Sequence, residues 1–444
     1  MSNTIYALSS AAGRAAVAII RVSGPKASTS IENLTGLPVP ASRRAVLRKI
    51  KDLKVNDVID EGLVVFFKGP YSATGEDLAE FHVHGSHAVI QDMFFALSSL
   101  DGLRPAEPGE FARRSFENGK IDLTKAEGIA DLIDAETRSQ RRQAQVQAGG
   151  ALERLYDSWR SQLLHAQALL EAVIDFSDES DVSEKAYHGA TKIVEVLAKT
   201  ITKHLQGARV GEIIRTGFRV VIAGPPNAGK SSLLNALAKR DIAIVSDEAG
   251  TTRDVIEVRL DLDGILVVIT DTAGIRPTCS RVEQEGINRA LCSALASDLI
   301  LWMNDGTTEN LHDIPKVLFD KTSIKILNKA DLFHKNKLKV LQEDVISLSA
   351  KSGEGLNKLT SLIKTMALKE VYTTDRLIPT NLRHVKHLSN AADQLQNFLS
   401  AEILEIELRA EDLRIAATEL GRLTGRIDPE DILDQIFLRF CIGK

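Results

Sequence analysis

Apolar positions change their spacing three times along this 444-residue chain, and each change marks a part of it. Over residues 1–118 they come in short runs, at 5–8, 17–22, 62–67 and 78–84, rich in β-formers and divided by Gly and Pro. Such runs predict strands with a few helices, an α+β domain. From about Ile121 the spacing turns to three and four: Leu152, Leu155, Trp159, Leu163, Ala166 and Leu170 form the stripe of an amphipathic helix, and 122–137 and 184–206 share its character. Between 213 and 372 short apolar strands alternate with helices. Beyond about Asp375 the helical period returns in 382–399, 402–420 and 431–440. A helix with one apolar face must cover it, so the helical sets 119–212 and 373–444 are expected to pack together as one all-α domain that carries 213–372 as an insertion.

Inside the insertion, 255–262 and 265–270 flank Asp263-Gly264, a hairpin signal that puts one antiparallel strand on a mostly parallel sheet. Further strands at 299–303, 324–327 and 345–348 complete a doubly wound plan, whose ligands lie at strand carboxyl ends. Residues 219–232 read RVVIAGPPNAGKSS, and Gly224 to Ser231 fits the phosphate-loop pattern. A strand, a glycine-bearing turn and a helix aim backbone N–H groups at one spot, which makes Asn227, Ala228, Gly229, Lys230, Ser231 and Ser232 phosphate-binding candidates. Lys230 would neutralise the β- and γ-phosphates, and the Ser231 hydroxyl would join a Mg²⁺ shell.

Three further groups follow in order. Thr251-Thr252-Arg253-Asp254 offers a threonine hydroxyl to the metal, with Thr251 and Thr252 at the nucleotide and Thr252 the metal candidate. Asp271-Thr272-Ala273-Gly274 ends a strand, placing the Asp271 carboxylate near the magnesium and the Gly274 N–H near a γ-phosphate. Asn328-Lys329-Ala330-Asp331 selects the base: the Asp331 carboxylate accepts from guanine N1–H and the N2 amine together, whereas adenine leaves it unmatched, at a cost on the order of 1 to 3 kcal/mol or more. Asn328 would reach the far edge of the base, the Lys329 stem its face, and Ser349-Ala350-Lys351 would supply a backbone N–H for guanine O6. Together these imply a guanine nucleotide site.

Hydrolysis is less explicit. Ile275 stands where many small GTPases carry the glutamine that orients the attacking water. The acidic residues downstream, Glu283 and Glu285, can hold a water, and on spacing alone either is as readily a solvated helix-face charge. Arg276 is open between a switch contact and the surface. The Asn227 amide oxygen, with carbonyls of the 246–250 loop, could hold a monovalent cation beside the phosphates, or Asn227 could simply shape the turn.

Composition narrows the partners. With 55 Lys and Arg against 60 Asp and Glu the net charge is -5, so no global basic field draws nucleic acid, and RNA contact would need a local patch or a second protein. Cys279, Cys292 and Cys441 have no metal-ligand spacing and leave an odd count, which favours a reducing compartment. The start MSNTIYALSS carries no leader pattern, and no apolar run approaches a spanning helix of about 20 residues, so a cytoplasmic protein without a membrane partner is expected. In the N-terminal region the polar loops 72–77 and 105–110 fit either a small-ligand site or plain turns. His82, His84 and His87 lack a clear third ligand set, which argues against a metal.

The chain resembles the MnmE (TrmE) family of bacterial tRNA modification GTPases along essentially its whole length. The matching stretches are TGEDLAEFHVHG at 74–85, PGEFARRSFENGKIDLTKAEGIADLI at 108–133, GPPNAGKSSLLNAL at 224–237, AGTTRD at 249–254, DTAGIR at 271–276 and the terminal FCIGK at 440–444. Ribosome-assembly GTPases share the nucleotide motifs and lack the N-terminal stretches and the tail.

The resemblance implies an N-terminal domain similar to folate-binding aminomethyltransferase domains, which homodimerises. It would bind 5,10-methylene- or 5-formyl-tetrahydrofolate through Arg21, Glu80, Lys120 and Lys444. It implies a Ras-like G domain at 213–372 that meets its copy across the nucleotide faces when GTP and K⁺ are bound. Asn227, Ser246, Glu248 and Thr251 would hold K⁺, Glu283 would orient the water, and Lys230 and Arg276 would belong to the catalytic machinery. Cys441 would serve the modification itself and lie toward the folate. The implied activity is GTP hydrolysis coupled, in a heterotetramer with an FAD- and NADH-using partner, to building an aminomethyl or carboxymethylaminomethyl group on C5 of the wobble uridine of certain tRNAs.

Some positions depart from the family pattern. Ala11-Ala12-Gly13-Arg14-Ala15-Ala16 stands where a proline pair and a glycine pair usually flank the Gly-Arg, and Glu248 and Glu285 each replace a usual isoleucine. Two other function classes fit part of the chain: a GTP-gated scaffold without chemistry on tRNA, and a folate-dependent one-carbon transferase with a regulatory G domain.

Overall fold

The computed structural model describes residues 3–52, 57–175, 180–244, 257–271, 292–308, 311–332, 345–371, 377–400, 406–427, 433, 436–438, 440 and 443. It divides into two compact units, Met1–Ala130 with Gln147–Thr191 and Ala401–Lys444, and Asp131–Val146 with Lys192–Ser400.

The first unit begins with β1 (Thr4–Leu8), β2 (Ala15–Ser23), α1 (Ala27–Thr35), β3 (Val46–Asp52), β4 (Asp57–Phe67), β5 (Leu78–Gly85), α2 (His87–Ser98), β6 (Leu103–Pro105) and α3 (Glu110–Glu117). Its sheet runs β3-β4-β5-β2-β1-β6, antiparallel throughout except for β1 beside β6. Alternation along the strands separates two faces. Tyr6, Ile20, Val22, Phe81 and Val83 pack with Ile31 of α1 and with Met93 and Leu97 of α2. Ile5 and Ala7 point the other way, to Ala106 and Phe111. β3 and β6 were not expected from the spacing. β3 reads VLRKIKD and fully buries only Ile50, the lysine-bearing sequence of an edge strand, and β6 is three residues at the opposite edge.

The helices of this unit answer the three-and-four spacing. In α6 (Ala151–Asp175) the buried stripe is Leu152, Tyr156, Trp159, Leu163, Ala166, Leu170 and Val173, so the turn expected at Leu155 is taken by Tyr156, one position on. It packs along the helix Ile406–Thr424, which buries Leu413, Ala416, Ala417, Leu420 and Leu423. A helix from before the nucleotide segment and one from after it therefore cover each other's stripes.

The second unit contains α8 (Ala208–Thr216), β7 (Phe218–Ala223), α9 (Lys230–Ala238), β8 (Glu257–Leu262), β9 (Ile265–Asp271), β10 (Leu299–Asp305), β11 (Ser323–Asn328), β12 (Val345–Ser347) and the helix Leu356–Val371. The sheet order is β12-β11-β10-β7-β9-β8, parallel except for the β8–β9 hairpin. Asp263 and Gly264 take φ of 55° and 89°, the pair of left-handed residues that a two-residue hairpin turn needs. Six of the seven residues of β10 are buried, as expected of a strand covered on both faces. The segment Asp131–Val146 docks on the hairpin: the Ser139 amide donates to the Gly264 carbonyl at 3.1 Å, and Arg259 pairs with Glu136 at 2.9 Å. Among the described residues no helix is long and apolar enough to cross a membrane.

Candidate functional site

The phosphate loop joins β7 to α9 through three left-handed residues, Gly224 (φ 143°), Asn227 (φ 62°) and Gly229 (φ 95°). Neighbours enforce the glycines: a Cβ on Gly224 would lie 2.1 Å from the Met303 carbonyl oxygen, and one on Gly229 2.2 Å from Asn328 Nδ2. Lys230 Nζ reaches back over the loop and donates to the carbonyls of Gly224 and Pro225, each at 2.9 Å. Burial pushes its amine below the usual range, with Asp271 pulling the other way. The Ser231 hydroxyl donates to Asp271 Oδ2 at 2.6 Å, and Asp271, at the end of β9, is only 2% exposed. Two hard oxygen donors this close, one a buried carboxylate, suit Mg²⁺. Ala228 and Ser232 lie on the same loop and first helical turn.

Four loops meet at the base-reading end. Asn328, the last residue of β11, is buried; its Nδ2 donates to the Ala228 carbonyl at 2.8 Å and its Oδ1 accepts from the Ala350 amide at 3.0 Å. Its amide thus ties the phosphate loop to the 349–351 loop, a task that no sequence pattern announced. Ser349 donates through Oγ to Asp331 Oδ1 at 2.6 Å, which aims the carboxylate. Lys329 sits at φ 68° with Nζ 2.5 Å from Asp305 Oδ2. Asp305 was missed in the sequence, although it ends the apolar strand β10 beside β7, where the doubly wound plan places ligands. Lys351 follows in the exposed turn. Ser246, Glu248, Thr251, Thr252, Gly274, Arg276 and Glu283 lie outside the described residues.

In the first unit Arg21 and Glu80 face each other across β2 and β5. Arg21 donates through Nε and Nη2 to Glu80 Oε1 at 3.0 and 2.8 Å, its guanidinium lies 5.9 Å from the centre of the Phe111 ring, and His82 Nε2 is 3.2 Å from Glu80 Oε2. The Lys120 stem closes on Gly75, where a Cβ would come within 3.2 Å of Lys120 Cε. Lys444 and Cys441 lie outside the described residues. Between them in sequence, the Gly443 carbonyl accepts from Ser9 Oγ at 2.8 Å, at the end of β1. The two polar loops converge on Arg114, buried in α3, which donates to Glu76 Oε2 and to Glu110 Oε1, both at 2.9 Å. Burial alone would raise the Glu110 pKa, but hydrogen bonds from Arg104, the Glu107 amide and Arg114 outweigh it and hold the carboxyl below its usual range. His84 contacts Asp60 at 2.8 Å, and His87 opens α2, so the histidines face separate partners.

A sequence model described as the MnmE helical domain matches residues 123–441, and one described as the GTP-binding protein TrmE N-terminus matches residues 4–120. The chain belongs to the MnmE (TrmE) family. It is 47% identical to the tRNA modification GTPase MnmE of Agrobacterium fabrum, over 100% of this chain and 99% of that one. Against the tRNA modification GTPase MnmE of Paramagnetospirillum magneticum the identity is 48%, over 100% of both chains. Among solved structures, Era in complex with MgGDPNP and a 16S ribosomal RNA segment is 20% identical, covers 47% of this chain and 89% of its own, and has a TM-score of 0.28, too low to bear on the argument. The two MnmE-family matches meet between Lys120 and Leu123, at the junction of α3 with α4 (Leu123–Ile133).

Proposed function

We propose that this GTP hydrolase of the MnmE family is stimulated by K⁺ and works in wobble-uridine modification. With an FAD- and NADH-using partner, in a heterotetramer, it builds the aminomethyl or carboxymethylaminomethyl group on C5 of the wobble uridine of certain tRNAs. The reading is supported by one observation above all: Asn328, Lys329, Asp331 and Ser349 converge at the strand ends beside the phosphate loop, in a chain similar over its full length to tRNA modification GTPases. In this reading 1–118 is the folate-binding, homodimerising domain, 119–212 and 373–444 are the helical domain, 213–372 is a Ras-like G domain, and the protein is cytoplasmic.

The chain's own groups divide the work. Asp331 accepts from the N1–H and N2 amine of guanine, and the loop amides of 227–232 hold the phosphates. Lys230 offsets the charge of the β- and γ-oxygens. Ser231, Asp271 and Thr252 hold Mg²⁺, which when bound neutralises charge that builds on the phosphoryl oxygens. Asn227 with Ser246, Glu248 and Thr251 holds K⁺. Glu283 accepts a hydrogen bond from the attacking water and fixes its direction, and Arg276 braces the same loop. In the first unit Arg21, Glu80, Lys120 and Lys444 hold the tetrahydrofolate derivative, with the Glu80 carboxylate as acceptor for its N–H groups and Cys441 beside it.

The test has two parts. GTP turnover in matched KCl and NaCl should be clearly faster in KCl, and equal low rates would remove the cation role. Nucleoside analysis of tRNA from a deletion strain should show the wobble modification lost. A GTP-gated scaffold would leave it in place, and folate turnover without partner or tRNA would point to a one-carbon transferase instead.

A further inference from the structure

We propose that Asp305 is a positioning residue of the guanine pocket: it holds the Lys329 stem across the face of the base and so sets nucleotide affinity without reading the base's edge. The inference rests on the guanine reading of the site.

β10 and β11 run parallel with Asp305 in register with Asn328, so the carboxylate emerges beside the start of the base-reading loop. The next amide, that of Gly306, donates to the Asn328 carbonyl at 3.0 Å, which bonds the turn after β10 to that loop. Asp305 Oδ1 accepts from the Thr307 amide at 2.9 Å and from Thr307 Oγ1 at 2.6 Å. Those two donors orient the carboxylate independently of the lysine, leaving Oδ2 to meet Lys329 Nζ at 2.5 Å. The Asp305 side chain is 17% exposed, so the pair is only partly screened by solvent.

Lys329 needs such a tether. Its φ of 68° is uncommon for a residue with a Cβ, and a four-carbon stem carries much rotamer freedom. Fixing the ammonium at Asp305 anchors the stem at the carboxyl end of β10. The ordering cost is then met before a nucleotide arrives, the usual route by which pre-organisation tightens binding. Burial by itself raises the Asp305 pKa, but the bonds from Lys329 and Thr307 outweigh it and leave the carboxyl below its usual range, so the tether is charged at neutral pH. A stem lying on the face of the ring is indifferent to the N2 amine, whereas Asp331 is not.

The experiment measures binding of GTP and of ITP, which lacks the N2 amine, to the full chain and to D305N, K329M and D305N/K329M. D305N is expected to weaken both nucleotides by the same factor, about tenfold, and the double variant to be little weaker than K329M alone. Should D305N loosen the loop, K329M reports the pair from its other side and must also weaken both equally. Wild-type affinity in D305N, a loss confined to GTP, or strictly additive losses would overturn the proposal. If the unaltered chain bound neither nucleotide, the guanine reading itself would fall, and the proposal with it.

Discussion

The two sheets of this protein assemble their candidate sites in opposite ways. In the second unit the parallel strands β7, β9, β10, β11 and β12 all end at one edge, and the motif residues of the candidate site sit at those strand ends or in the loops that follow. In the first unit the sheet is mostly antiparallel, and two of the candidate residues, Arg21 and Glu80, lie in mid-strand. Arg21 and Glu80 are 59 positions apart in the chain and brought together only by the register of β2 against β5. A site built on loops advertises itself in sequence, whereas one built on register stays hidden until the strands are paired.

The contrast can be sharpened or broken by substitution. The largest effect is expected at Glu283: Glu283→Ala should lower GTP turnover by about 10²-fold or more while GTP binding stays near normal. Unchanged single-turnover rates would remove the residue from the mechanism.

Next comes the first unit's buried ion network. Arg114→Met leaves Glu76 without its cation and Glu110 with Arg104 alone, and should destabilise that unit by about 2 to 3 kcal/mol in denaturant unfolding. The effect should fall on the first unit, with GTP affinity kept; a loss of GTP affinity as large as the stability change would show that the two sites are not separately built.

A smaller effect concerns acid. The Glu110 carboxyl is held below its unfolded value of 4.5, so its contribution is fully present above that pH and is lost as pH falls through the lower folded value. Glu110→Gln should therefore flatten the melting temperature of the first unit between about pH 5 and pH 3. An unchanged slope would assign the acid sensitivity to other carboxylates.

How much was legible follows the same division. The strands of both sheets could be read where apolar residues alternate or run together, and the hairpin at Asp263-Gly264 followed from its turn residues and the apolar runs that flank them. β3 was hidden because an edge strand keeps its lysines outward. α5 (Arg138–Ala148) was hidden because RSQRRQAQVQA has no apolar period to find. In the nucleotide site the motif residues were legible and their tethers were not: Asn328 bridging Ala228 and Ala350, Ser349 aiming Asp331, and Asp305 holding Lys329 are contacts between loops distant in sequence. In the first unit the loops 72–77 and 105–110 were ambiguous for the same reason, since Arg114, which joins them, belongs to neither.

The central claim is that the Asp331 carboxylate selects guanine, and titration calorimetry with GTP, ATP and XTP tests it most directly. The unaltered chain should bind GTP and show no measurable heat with ATP or XTP, while Asp331→Asn, which offers an amide donor to the xanthine O2, should lose GTP and gain XTP. ATP bound as tightly as GTP, or Asp331→Asn with its preference unaltered, would contradict it.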